Sequence, residues 1–444
     1  MPHKPSPSVD KASIVFLGIS TAAAAQEKVQ TKRNGVPVIV EVKPLPASAQ
    51  VDVEAQLSGD ILEGGFRSWL VIFGAFCYAF ATLGYVYTWG VFQAYYQEVN
   101  LRDSREASVA WIGAIQYSLL ILPGLVAERF VNPRFLRLIL GGASVILLIS
   151  TFLTPECTRY GHFLLCQGIA TGLACGMFFV PVSTILEQWF KGRKGLPLTL
   201  FMVGSSVGGT MFPIVLRELL PRVGFAWAVR IAGFLMLFFL LLGNLTLGIR
   251  LPAMPLVESQ TSSSEVIAVI RLPSQALHCL STFLTFLGSY TLLTYVASKS
   301  HASLGNFAFY LTAVINASSG LGAILLGLLP DRSKFGCRSV LAIPLAGIAA
   351  AAVTYAWPFA LAHSEACIIA VCVIYGFAIA PLSQPDTGVL PLIFRAFGSL
   401  LGAPLAGYVG QASGVGMGVF AGSVLMSGVL TMCLAQFLML SERK

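Results

Sequence analysis

Gly124-Leu125-Val126-Ala127-Glu128-Arg129 and Gly327-Leu328-Leu329-Pro330-Asp331-Arg332 spell one pattern twice, G-x-x-x-[D/E]-R. A further arginine follows each copy, Arg134 and Arg338, and the two acids stand 203 positions apart (128 to 331). The return of one pattern at equivalent places points to a duplicated architecture. The chemistry of the pattern is specific. Glycine lets a neighbouring helix approach closely. An acid at a helix start meets the positive end of the dipole. Arginine pairs with that acid or with carbonyls at another helix's C-terminus. Gly124, Glu128, Arg129, Arg134, Gly327, Asp331, Arg332 and Arg338 are therefore read as a gating latch that holds one face shut and releases when it opens. The competing reading is an ordinary pair of charged loops obeying topology.

The segments around these copies are apolar. The chain of 444 residues is 56% hydrophobic and 11% charged, with mean hydropathy +0.78. A soluble domain carries about 25% charged residues, so an ordinary soluble enzyme, a disordered chain and a coiled coil are excluded. Residues 1–67 hold seven basic and seven acidic residues, so the whole net charge of +8 falls between the apolar runs. That pattern excludes a nucleic-acid partner and fits a polytopic membrane protein. The nine cysteines include no C-x-x-C pair and sit mostly in apolar runs. They read as small apolar filler.

Twelve spans are predicted, at 69–96, 108–127, 136–154, 162–186, 197–219, 226–248, 276–298, 307–329, 340–361, 366–384, 387–411 and 416–440. Helices satisfy their own backbone in lipid, and about 20 residues cross the hydrocarbon. The fold class is thus an all-α membrane protein of two six-helix halves. Its parts are a disordered cytoplasmic tail (1–62), an N-terminal bundle (63–250), a cytoplasmic Pro/Ser/Thr-rich linker (251–274) and a C-terminal bundle (275–444). Ile14 to Ala25 is too short to span; a cleaved signal peptide is its alternative reading. With the tail inside, thirteen basic residues fall on the cytoplasmic side and six opposite, in accord with the positive-inside rule.

Several segments resemble the major facilitator superfamily, and in particular the fungal branch of the monocarboxylate-porter family. Glu63-Gly64-Gly65-Phe66-Arg67-Ser68-Trp69 resembles the signature before that family's first helix. Trp111 to Gln116, Trp189 to Leu196, Gly204 to Gly209 with Phe212-Pro213, Asn316 to Gly320 and Gly402 to Gly407 resemble its later spans. The resemblance implies a transporter working by alternating access, with spans 1, 2, 4, 5, 7, 8, 10 and 11 lining a cavity. Three departures stand out. Span eight has Ala323 after Gly322 where the family often has arginine, and span one has no lysine. The stretch from Tyr375 to Gly402 is short, which makes Gln384-Pro385-Asp386 to Arg395 a compressed hairpin and leaves a weakly active version as one reading.

Candidate substrate contacts follow from the lining spans. Tyr85, Trp89 and Gln93 are spaced i, i+4, i+8 and share one face of a regular helix. Gln116, Tyr290, Thr294, Asn316 and Ser319 add polar groups, and Arg395 adds an intramembrane cation. Interhelical hydrogen bonding is the plainer reading of each. Together they suggest an aromatic, weakly hydrogen-bonding pocket. Arg230, near the outer end of span six, is a second intramembrane-cation candidate. The glycines at 168, 172, 176, 204 and 208 read as helix-packing positions.

No predicted span has Asp or Glu at its centre; Glu187 and Asp386 lie at span ends. Protons as coupling ion and facilitated diffusion therefore both stay open. No G-x-x-x-x-G-K-[ST] is present, so no ATP site is expected, and no cofactor or metal. Gly204-Ser205-Ser206-Val207-Gly208 matches the hydrolase pattern G-x-S-x-G, but inside a predicted membrane helix with no strand before it, so no enzyme is expected. The expected partners are a small organic solute, either a monocarboxylate-like acid or a secondary metabolite, and the lipid bilayer. The expected site is the plasma membrane, with a vacuolar or other internal membrane as the alternative. A non-transporting sensor of the same fold is the rival function.

Overall fold

The computed structural model describes residues 29–33, 36–40, 65–127, 133–190, 195–247, 273–328, 342–383 and 389–442. Contacts divide the chain into residues 1–63 and residues 64–444. In the first unit, β1 (Val29–Arg33) and β2 (Val36–Val40) pair antiparallel, with Val29 opposite Val40 and Arg33 opposite Val36. This hairpin departs from the expectation of a tail without fixed structure. Its strands are rich in valine, and the intervening sequence is Asn34-Gly35, a dipeptide that favours tight hairpin turns.

The second unit holds the apolar helices: α1 (Phe66–Asn100), α2 (Glu106–Val126), α3 (Phe135–Glu156), α4 (Tyr160–Glu187), α5 and α6 (195–223 and 225–246), α7 (Pro273–His301), α8 (Ala308–Leu325), α9 (Ile343–Ala360), α10 (Glu365–Leu382), α11 (Val389–Gln411) and α12 (Gly414–Met439). Helices α5 and α6 run on without a gap, but Gly224 breaks them at φ 75° and ψ 171°. Only glycine takes that left-handed, extended combination readily. Each of the twelve predicted spans has a helix among the described residues, while 248, 329, 340–341, 384 and 387–388 lie outside them. Of the expected linker, 251–272 lies outside the described residues and 273–274 already belongs to α7. The Ile14–Ala25 patch and Gln384-Pro385-Asp386 also lie outside them.

Lipid tails give helices no hydrophobic reason to associate, so close packing must hold the bundle. Glycine supplies it in parallel ways in the two halves. In the first six helices, a Cβ on Gly204 of α5 would stand 2.6 Å from the Phe76 carbonyl of α1. One on Gly84 of α1 would stand 2.6 Å from the Gly208 Cα of α5. In the last six, Gly398 and Gly402 of α11 seat α7 in the same manner, with Cβ positions 3.2 Å from the Leu287 nitrogen and 3.0 Å from the Leu287 carbonyl carbon, respectively. Helix α4 packs on α2 through Gly172, whose Cβ would stand 3.0 Å from the Gln116 Cα, and α10 meets α8 where Gly322 would meet the Phe377 carbonyl at 2.6 Å. The pairings α1–α5 and α2–α4 thus return as α7–α11 and α8–α10.

Helix α1 is not regular. Thr82 and Thr88 turn their hydroxyls back to the carbonyls of Tyr78 (2.7 Å) and Gly84 (2.9 Å), and the regular helix is interrupted at Thr82 and again at Tyr87–Thr88, on either side of the helical Leu83–Val86. Such back-bonding bends helices. Backbone groups at membrane depth need partners. The Val86 carbonyl accepts from the Tyr117 hydroxyl at 3.3 Å, and the Tyr87 carbonyl from Asn316 Nδ2 at 3.5 Å.

Candidate functional site

The broken turn of α1 opens onto the seam between the two halves. Tyr87 of α1 stacks near Tyr117 of α2, with centroids 6.4 Å apart. Tyr117 in turn stacks face to face on Tyr290 of α7, across the seam, at 4.1 Å and 16°. Phe286, one turn before Tyr290, tilts against it at 5.9 Å. Arg395 of α11 places its guanidinium 4.0 Å over the Phe286 ring and donates to the Ser383 carbonyl at 3.1 Å. The Tyr290 hydroxyl faces both Arg395 and Tyr87. Tyr375 of α10 donates to the Ser289 carbonyl beside them.

The electrostatics of this group are unusual for a membrane interior. Arg395 is 3% exposed, and a cation there is costly unless its surroundings answer it. The Phe286 ring face, the Ser383 carbonyl and the Tyr290 hydroxyl are among the groups that do so here. Cation–π contact contributes about 2 kcal/mol when desolvated. The guanidinium thus sits among flat π-surfaces at the seam.

The seam is closed differently at its two ends. We call odd the end formed by the connections after α1, α3, α5, α7, α9 and α11, and even the opposite end. At the odd end, Lys299 of α7 donates to Glu106 of α2 at 2.6 Å, and His301 of α7 meets Glu98 of α1 at 3.1 Å. Tyr310 of α8 donates to Glu218 of α5 at 2.6 Å, and Arg217 of α5 lies 5.3 Å over Phe309 of α8. Gly90 lets α1 approach within reach of α7: a Cβ there would stand 2.5 Å from the Leu293 carbonyl. At the even end, Ile121, Leu122 and Leu125 of α2 cluster with Leu392 and Ala396 of α11.

The residues predicted from sequence divide into two groups. Tyr290 and Arg395 meet in the seam. Asn316 bridges the halves, donating to the Gly209 carbonyl at 3.0 Å as well as to Tyr87. Thr294 is buried one turn beyond Tyr290, with its carbonyl over Gly90, and Ser319 is half-buried on α8. Trp89 and Gln93 share a face, while α1 is interrupted at Tyr87–Thr88 between Tyr85 and that pair. Tyr85 packs edge-on to Phe92 (5.5 Å) and Phe212 (5.8 Å), within the first half. The Trp89 indole occupies the space left by Gly113 and donates to Gln93 at 2.9 Å. Gln93 faces Tyr295 of α7. Gln116 backs onto α4 at Gly172. Arg230 pairs with Glu156 at 2.7 Å and lies over Trp227, a peripheral role. Of the latch, only the backbones of Gly124, Arg134 and Gly327 are described; Glu128, Arg129, Asp331, Arg332 and Arg338 lie outside the described residues. Gly124 does seat α4, where a Cβ would stand 2.7 Å from the Gly176 carbonyl.

Sequence reasoning missed Tyr87, Tyr117, Phe286 and Tyr375. The available signal was Thr82 and Thr88 flanking Gly84 in mid-span, a cue to a bent helix that turns its aromatic residues onto new faces.

Twelve apolar helices in two bundles, with an aromatic and cationic seam between them, define a polytopic membrane transporter. The chain belongs to the Major Facilitator Superfamily, whose family profile matches residues 71–395. It is 32% identical over 404 residues to an MFS-type transporter of Gibberella moniliformis, covering 84% of this chain and 91% of that one. It is 30% identical to the aspyridones efflux protein of Emericella nidulans, over 82% of this chain and 71% of that one. The agnestins efflux protein of Paecilomyces divaricatus is 29% identical, over 90% and 95%. The solved nucleoside transporter NupG superposes with TM-score 0.60 at 14% identity, over 85% of this chain and 100% of that one, a likeness of fold alone. The chain is accordingly an integral multi-pass membrane protein of a transporter family, and its partner is a small molecule.

Proposed function

We propose that this chain exports a small organic solute, a secondary metabolite or a monocarboxylate-like acid, by alternating access. Residues 63–250 and 275–444 are the two halves that rock, and 251–274 is the cytoplasmic linker between them. The observation that carries this reading is the Tyr117–Tyr290 stack across the seam beside a buried Arg395. Stacked rings across the seam are contacts that a ligand can replace when the halves part. The names of the aspyridones and agnestins efflux proteins support export as the direction. Thirteen basic residues against six support cytoplasmic termini, which puts the even end in the cytoplasm and the odd end outside. The plasma membrane is the location that suits export. The latch residues Glu128 and Asp331 would act at the even end, and charge reversal at either is expected to lower flux more than it lowers folded protein in the membrane.

Flux into or out of proteoliposomes tests the proposal. Saturable movement of a solute that also binds is the expected result. Ligand binding with no flux would favour the sensor reading instead. An imposed pH gradient in the same vesicles separates proton-coupled from facilitative movement: acceleration indicates coupling, and indifference indicates diffusion through the carrier.

A further inference from the structure

We propose that Cys157 and Cys166 are joined by a disulfide at the odd end of the first half, an oxidative modification that braces the corner between α3 and α4. The proposal rests on the transport reading for its orientation, in which the odd end faces outside.

Cys157 follows the end of α3, and Cys166 lies in the second turn of α4. The sequence gives no hint that they meet, but the fold turns them toward each other. The Cys157 thiol is in hydrogen-bonding contact with the Cys166 thiol and reaches back to the Leu153 carbonyl at 3.5 Å. Both sulfurs lie beside the Tyr96 hydroxyl. That hydroxyl donates to Gln167, the residue after Cys166, and the Tyr96 ring tilts against Phe163 at 4.5 Å. Cys166 and Gln167 belong to a π-helical segment, Leu164–Ala170, and Tyr96 opens another, Tyr96–Asn100. Such wide turns are rare and mark places where a helix is held out of its ordinary register. A bond at Cys166 would fix one of these turns, and through Tyr96 and Gln167 the other.

Two cysteines can be bridged only where their side chains face each other, as these do. Disulfides persist on the outer side of a membrane and are rare in the cytosol, and the α3–α4 connection belongs to the odd end. Water reaches this corner: the neighbouring Glu156 side chain is 65% accessible. Glu156 also pairs with Arg230 of α6, so the corner is tied on its other side as well. The oxidant is a small or protein-borne disulfide, RSSR, met during folding in an oxidising compartment. Cys166 is half-buried and Cys157 buried, so the Cys166 thiolate attacks first. It bonds one sulfur of RSSR and expels the other as a thiolate. The Cys157 thiolate then attacks Cys166 and expels the second. The two cysteines lose two electrons and two protons between them, and RSSR takes up both as two RSH.

The test is peptide mapping of the full chain taken from its membrane, with free thiols capped by N-ethylmaleimide during denaturation. Trypsin cuts after Arg159 and so separates Cys157 from Cys166 and Cys175. The expected result, in most copies, is one linked mass that a reductant splits into two peptides. The link should vanish in Cys166→Ser and persist in Cys175→Ser. Reductant should lower the melting temperature of the wild-type chain and leave that of Cys157→Ser unchanged. N-ethylmaleimide on both Cys157 and Cys166 of the unreduced wild-type chain would overturn the proposal, as would a link that needs Cys175 instead of Cys166. Cys367, exposed in the first turn of α10 at the same odd end, tests the orientation separately through a membrane-impermeant maleimide applied to intact cells. Labelled Cys367 with capped Cys157 and Cys166 sinks the disulfide and leaves the orientation. A linked pair with Cys367 unlabelled sinks the orientation and leaves the disulfide.

Discussion

Glu106, Glu98 and Glu218 reach across the odd end of the seam to Lys299, His301 and Tyr310. At the even end, the described contact of α2 with α11 is made by Ile121, Leu122, Leu125, Leu392 and Ala396. The first set is partly exposed, with Glu106 and Lys299 side chains 36% and 27% accessible. Ion pairs in such settings contribute about 0.2–1 kcal/mol each and weaken with salt. Apolar contacts are indifferent to salt and scale with buried area. A gate of weak, separable pairs opens one contact at a time, whereas a packed apolar gate opens as a unit. The two ends therefore answer to different conditions, although the bundles behind them repeat one another.

The largest expected effect comes from wedging the odd end. Gly90→Leu forces a side chain against the Leu293 carbonyl and Thr312. Overpacking of this kind costs about 1–3 kcal/mol, and here it falls only on the state closed at that end. Spin labels at Asp103 and Phe307 should report a longer distance, while labels at Val126 and Val389 should report a shorter one. Next is Leu392→Ala, which removes apolar contact at the even end. At about 0.8 kcal/mol for each of the three carbons removed, it should shift the even end open by up to about 2 kcal/mol. The Val126–Val389 distance should lengthen by the same amount in 50 mM and 500 mM salt. Glu106→Lys should open the odd end by about 0.5–1 kcal/mol. Adding Lys299→Glu should restore closure, and high salt should erase the difference between single and double variants. The smallest effect is expected from His301→Ala, a few tenths of a kcal/mol at the same end, read by the Asp103–Phe307 pair.

Much of this arrangement is legible in the sequence. Apolar runs of about 20 residues mark twelve spans, and Pro221-Arg222-Val223-Gly224 marks the boundary of α5 and α6 even though the two helices run on without a gap. The duplicated G-x-x-x-[D/E]-R pattern marks the two halves. Tyr290 and Arg395 are legible as polar groups inside apolar segments. The rest of the site is not, for physical reasons. Aromatic residues make up 11% of the chain, so a tyrosine in a span carries little information about its face. The i, i+4, i+8 argument for Tyr85, Trp89 and Gln93 presumes an unbroken helix; Trp89 and Gln93 stay paired, but α1 is interrupted at Tyr87–Thr88, between Tyr85 and Trp89. The ionic gate was hidden for a different reason. Glu106 and Lys299 lie 193 residues apart in the chain, and sequence reasoning uses such charges only to orient the loops. Their pairing follows from the packing of α1 against α7 and of α2 against α11, which no local pattern encodes.

The central claim is that the halves rock about the Tyr117–Tyr290 seam, so that one end closes as the other opens. Double electron–electron resonance on the chain in liposomes measures this directly, with label pairs at Asp103 and Phe307 and at Val126 and Val389. The account predicts opposed changes: whatever lengthens one distance, Gly90→Leu included, shortens the other. Distances that lengthen together, or a single fixed distance at each end under every condition, would contradict it.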